Sequence, residues 1–374
     1  MPSKQHNIDY RFKILYAIGI IMVVSGHCGG GINVAGEWFP YGGMHLPLFV
    51  FCSGYFYKDS SESAYSRYIC KKFRSLIIPF WIYNVVYGLF VQMIRPFGFN
   101  LGGDFTWQNL FIEPFTNGHQ FLFNMGGWFV VPLFLVEVYN VTRRKICGLL
   151  PWNTSEWGYF LFDVFLGIAG NQLAIMGYNT GWWLTLVRML YFLPFYELGI
   201  LYNRKLEAYD KKIPSFPYFC FVFAVKLIII FYLGRVPAYG PSWCNDFKDG
   251  PFMPIVIGVL GIMFVLRFAC ILEPVIGRSR WINLVADNTF SIMMNQFLGF
   301  MLVKTVFSLF NLWANRCIDF NWEAFQNDIW YYFIPRGISN TLIIYLIVGI
   351  AFPIFIQKIL DRMKSFVFSQ KEKR

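Results

Sequence analysis

Long apolar runs recur ten times along the chain, at about 12–32, 43–57, 76–96, 124–142, 156–176, 182–202, 214–234, 251–272, 284–310 and 334–360. A helix that crosses the hydrocarbon core needs about 20 mostly apolar residues. The pattern therefore predicts an all-α, polytopic integral membrane protein with about ten transmembrane helices, forming one membrane-embedded domain over residues 1–374. The second run is short and reads as tilted or partly re-entrant. No Gly/Ser- or Pro-rich linker divides the chain, and no internal repeat shows beyond the alternation of runs and loops.

The polar stretches between the runs give an orientation. Basic residues gather at the N-terminus (Lys4, Arg11, Lys13) and in the second (Lys58, Arg67, Lys71, Lys72, Arg74), fourth (Arg143, Arg144, Lys145), sixth (Arg204, Lys205, Lys211, Lys212) and eighth loops (Arg278, Arg280). They continue in the tail, from Lys358 to Arg374. The odd-numbered loops hold Arg95, Arg235, Lys248 and Arg316, with Arg336 at the last run's entrance, so about 23 basic residues oppose about 5. The positive-inside rule then places both termini in the cytoplasm.

Composition agrees with lipid as the solvent. Hydrophobic residues make up 56% and charged residues 14%, and the mean hydropathy is +0.47. The net charge of +11 lies in short runs between apolar segments, which suits an anionic leaflet and argues against nucleic acid as a partner. Eight cysteines are scattered with no C-x-x-C pair and no histidine at metal-ligand spacing nearby, so no zinc site or redox motif is expected. Cys28, Cys244 and Cys317 fall near the outer face, where a disulfide is open but not assignable. The first run lacks a small-residue cleavage site and is read as retained.

Ionisable groups inside the runs are costly in lipid and are functional candidates by default: His27, Glu137, Asp163, Arg188, Glu197, Lys226, Arg267, Asp287 and Lys304. Lys226, Arg267 and Lys304 read as side chains snorkelling to headgroups, and Glu137, Asp163 and Glu197 as structural pairs. His27 ends an aliphatic run with a Ser25-Gly26 pair that admits close approach. A neutral imidazole there is a general base in waiting, where the bland alternative is a satisfied interfacial histidine. His45 opens the second run at the same expected depth, followed by Pro47 and the Ser53-Gly54 pair.

The segments "VVSGH" and "HLPLFVFCSGYFY" together resemble the start of the membrane-bound acyltransferase 3 family, in its branch of fucose-acetylase-like and capsule or exopolysaccharide O-acetyltransferases. Further matches follow in order: "KKFRSLIIPF" (71–80), "GGWFVVPLF" (126–134), "LPFYELGILYNR" (193–204) and "NTFSIMMNQF" (288–297). The sequence departs from the family pattern at Tyr16, where Lys or Arg is usual, with Lys13 one turn earlier, and at Gln296, where His is frequent.

The resemblance implies transfer of an acyl group, most often acetyl from acetyl-CoA, to a hydroxyl of a cell-surface polysaccharide or its lipid-linked precursor, in a bacterial plasma membrane. Other polysaccharide-assembly proteins are candidate partners beside membrane lipid and the glycan acceptor. His27 becomes the expected base, with His45 orienting it or binding the acceptor. Arg188 is expected either to hold an oxyanion or a glycan acid group, or to anchor a carboxylate such as Glu137. Ser53, Trp128, Asn295 and Gln296 are candidates for substrate contact, although an interfacial belt also accounts for the tryptophan. Lys71, Lys72 and Arg74 are candidates for the CoA phosphates, although orientation alone also places cations there. Two other readings stay open: a transporter or flippase of a lipid-linked sugar, and a catalytically silent subunit of a glycan-assembly complex.

Overall fold

Each of the ten apolar runs carries a helix among its described residues, and the run at 284–310 is broken at Asn288 between a short helix, Arg280–Asp287, and a long one. A computed structural model describes residues 8–28, 36–150, 154–314, 319–335 and 339–371. The helices are α1 (Tyr10–His27) and α2 (His45–Tyr55), then α3 (Tyr65–Phe97), α4 (Leu122–Gly148), α5 (Glu156–Ile175) and α6 (Gly181–Asp210). They continue with α7 (Ser215–Leu233), α8 (Met253–Ile276), α9 (Thr289–Trp313) and α10 (Leu342–Ser365). No strand occurs among the described residues, and the single isolated bridge joins Gly102 to Phe121. Lys4, Arg316, Arg336, Lys373, Arg374 and Cys317 lie outside the described residues. Cys28 and Cys244 are free thiols.

Among the described residues eight helices, α3 to α10, are long and apolar enough to cross a membrane. α1 is 18 residues long and opens on Arg11 and Lys13, and α2 has 11 residues, about 16 Å at 1.5 Å per residue. These two form the middle of the bundle. α1 packs against α2, α8, α9 and α10, and α2 against α6 and α8. Their burial leaves large apolar side chains such as Phe216, Phe231, Val275 and Trp313 on the outside of the other helices, as lipid contact requires.

α2 and α6 cross backbone to backbone. A Cβ on Gly54 would strike the Tyr196 carbonyl, and one on Gly199 would strike that of Phe51. Small residues at a crossing let two helices approach closely where lipid gives no hydrophobic drive to association. The Ser53-Gly54 pair therefore has a packing role in addition to any chemistry.

At one end of the bundle the buried carboxylates are paired, as expected. Arg143 donates to Asp163 and, at 2.8 Å, to Glu197. Arg144 reaches Glu197 and, at 2.9 Å, Glu156. Arg11 bridges Asp9 and Glu207 at 2.5 and 2.7 Å. Three other cations turn inward instead of snorkelling. Lys304 donates to the Ile329 carbonyl at 3.1 Å, Arg267 to Asp210 at 2.8 Å, and Lys226 lies over the Phe39 ring. A carboxylate, backbone carbonyls and a ring supply partners for these groups, so reaching headgroups is unnecessary.

Candidate active site

A cavity of about 600 Å³ runs between α1, α2, α4 and α9. Its lining follows α1 from Tyr16 to His27, α2 from His45 to Ser53, and α4 from Met125 to Glu137. At 1.5 Å per residue, the α1 and α4 stretches each extend about 16 to 18 Å. The two ends differ in chemistry. One holds His27, His45, His119, Trp128, Ser242 and Trp243, and the other holds Ser53, Lys72 and Glu137.

At the histidine end, groups that can only accept fix which ring nitrogen carries the proton. The Gln296 amide nitrogen donates to the Met293 carbonyl at 3.2 Å, so its Oε1 is the atom 3.1 Å from His27 Nδ1. His27 therefore donates through Nδ1, and in the neutral ring its Nε2 keeps a free lone pair. His45 Nδ1 donates to the Tyr41 carbonyl at 2.5 Å, which leaves its Nε2 in the same condition. Tyr41 in turn lies against Gly26, where a Cβ would collide with its ring. The small pair before His27 thus admits the segment that orients His45.

No motif in the sequence marks His119, yet it completes the group. Its Nδ1 donates to the Asn117 carbonyl at 2.9 Å and lies 3.0 Å from Asn117 Oδ1, while Nε2 is 3.0 Å from Ser242 Oγ. The ring stacks on Trp243 at 4.4 Å. Burial and the charge of Arg188 push its pKa down to about 3, so the ring is neutral at pH 7.

Arg188 neither lines the cavity nor pairs with Glu137. Its guanidinium is buried over the Trp128 ring at 4.5 Å. It donates to the Asn117 carbonyl at 3.0 Å and through Nε to the Ser242 carbonyl at 3.0 Å. It thereby ties together the two segments that hold His119 and Ser242.

At the opposite end, Lys72 Nζ meets Glu137 Oε1 at 2.5 Å and Ser53 Oγ donates to the same oxygen at 2.6 Å. Glu137 is 1% exposed, and its Oε2 has no protein partner. Tyr16 lines this stretch, whereas Lys13 pairs with Asp287 outside it. Lys71 and Arg74 are exposed and away from the cavity. Asn295 is buried off the cavity, accepting from Tyr87 at 2.6 Å and donating to Tyr83 at 3.1 Å.

Five of the residues expected from sequence, His27, His45, Ser53, Lys72 and Trp128, therefore share one cavity, and Gln296 acts on it through His27. Among the described residues no group of three or more His, Cys, Asp or Glu is placed to hold a metal ion.

The family model of the acyltransferase 3 domain matches residues 9–356, and the chain belongs to that family. Membership supports acyltransferase activity in a multi-pass membrane protein. No curated protein and no solved structure matches the chain.

Proposed function

We propose that the chain is an O-acetyltransferase of the capsule and exopolysaccharide branch, acting in a bacterial plasma membrane. It moves acetyl from acetyl-CoA to a hydroxyl of a cell-surface polysaccharide or its lipid-linked precursor. In this reading α1 and α2 complete ten spans, with both termini cytoplasmic, and the basic end of the cavity faces the cytosol.

One observation carries the reading: a single cavity joins the imidazoles of His27 and His45 to the Lys72–Glu137 pair near the basic loops. A donor made on the cytoplasmic side could lay its pantetheine arm along this passage and bring the thioester to the histidines. Glu137 neutralises Lys72, which leaves the exposed Lys71 and Arg74 as the cations for the phosphates. His27 Nε2 takes the proton of the acceptor hydroxyl as that oxygen attacks the acyl carbon. His45 Nε2 offers a second acceptor for a sugar hydroxyl, and Trp128 an aromatic wall for the ring.

Membranes carrying the protein, supplied with labelled acetyl-CoA and surface glycan, test this directly. Label in the glycan, and loss of an acetyl ester from the glycan of cells lacking the gene, are the expected results. Movement of a lipid-linked sugar across the membrane without label incorporation would instead identify a transporter.

A further inference from the structure

Ser242, His119 and Asn117 form a hydrogen-bonded series that the acceptor-activating role of His27 does not use. The Asn117 carbonyl can only accept, so His119 Nδ1 bears the proton and Nε2 is the acceptor of the Ser242 hydroxyl at 3.0 Å. Nucleophile, base and a third group orienting the base occur here in the relation that activates a serine. Both Ser242 and His119 line the cavity.

The supports around the pair are rigid and specific. Arg188 is buried and holds the carbonyls of both Asn117 and Ser242, so the hydroxyl and the orienting residue are fixed by one guanidinium. Ser242 sits in a tight turn closed by Cys244, whose φ of 47° is the one left-handed non-glycine conformation among the described residues. Cys244 Sγ donates back to the Pro241 carbonyl at 3.2 Å. Strain of this kind persists only where the surrounding structure enforces it.

We propose that Ser242 is a covalent nucleophile, activated by His119, which accepts the acyl group as an ester before it passes to the glycan. The proposal rests on the acyl-transfer reading given above. In the first half, Ser242 Oγ attacks the thioester carbon and its proton moves to His119 Nε2. The carbon–sulfur bond breaks, and the departing thiolate takes the proton from His119. In the second half, an acceptor hydroxyl gives its proton to His27 as its oxygen attacks the ester carbon. The carbon–Oγ bond breaks, and the imidazolium returns a proton to Ser242. Two histidines at one end of the cavity thus serve two half-reactions. Arg188 acts as a positioning residue for the first.

The test uses the purified full chain in detergent. Labelled acetyl-CoA without acceptor should leave one acetyl group on the protein, mapped by peptide mass spectrometry to Ser242. A fluorophosphonate probe, which needs no acyl donor, should label the same residue. Both signals should vanish in Ser242→Ala and drop at least about 100-fold in His119→Gln, whereas in His27→Ala the acetyl ester should form and persist when acceptor is added. Glycan acetylation at the wild-type rate in Ser242→Ala overturns the nucleophile and leaves the acyltransferase reading standing. Fluorophosphonate labelling that depends on His119, with no acetyl transfer from CoA, keeps the nucleophile and removes the donor assignment. Absence of both adducts from wild-type protein overturns the proposal.

Discussion

Gln296 Oε1 accepts from His27 Nδ1 at 3.1 Å, and the amide that supplies it is held in that orientation by the Met293 carbonyl. The glutamine performs an orienting task that a second imidazole at this position could also perform. It sets the tautomer that leaves Nε2 basic. Gln296→Leu should therefore lower kcat/KM about 10-fold, the equivalent of one hydrogen bond near 1.4 kcal/mol. Gln296→His should retain most of the activity in the same acetyl-transfer assay.

Arg188 should matter to stability although it does not line the cavity. Arg188→Ala leaves the Ser242 carbonyl without its donor and the Asn117 carbonyl with only that of His119, at about 1 to 3 kcal/mol for the group left unpaired, and should lower the melting temperature in detergent. Arg188→Lys should recover little of the loss, because one ammonium on a flexible stem does not span both carbonyls as a planar fork does.

The low pKa of His119 gives stability a defined pH dependence. Its folded value of about 3 lies below the ordinary 6.5 or so of a free histidine, so between those values the unfolded chain binds a proton that the native one refuses. Stability should be independent of this group above about pH 6.5 and fall as pH drops, by up to about 1.4 kcal/mol per pH unit. Thermal unfolding followed from pH 7.5 to 5 should show a steeper loss of stability in wild-type protein than in His119→Gln, the difference between the two slopes being the contribution of this group.

The Lys72–Glu137 pair should behave as a unit. Lys72→Met alone leaves a buried carboxylate with only the Ser53 hydroxyl and should destabilise the fold by as much as about 3 kcal/mol. The double variant Lys72→Met, Glu137→Gln should recover much of that loss. A thermodynamic cycle over the four proteins measures the coupling, and additive effects would show that the two side chains do not act together.

The apolar runs made the helices legible, because length and hydropathy are local properties. The motif around His27 and His45 made one end of the cavity legible too. Pairing was harder. Arg188 stood out as a buried charge, but its partners are backbone carbonyls, which carry no sequence signal, and the expected carboxylate, Glu137, went to Lys72 instead. His119 and Ser242 lie 123 residues apart in two irregular segments. Nothing local marks either one, since a loop histidine and a loop serine are individually unremarkable. Only the fold, through Arg188 on a third element, brings them together.

The role of His27 is tested most directly by the rate at which membranes bearing wild-type or His27→Ala protein move labelled acetyl from acetyl-CoA to glycan, at matched protein levels. Replacing the base should reduce transfer by about 100- to 10,000-fold. A variant rate within about twofold of wild type would contradict the assignment, since general-base catalysis contributes at least about 100-fold where it operates.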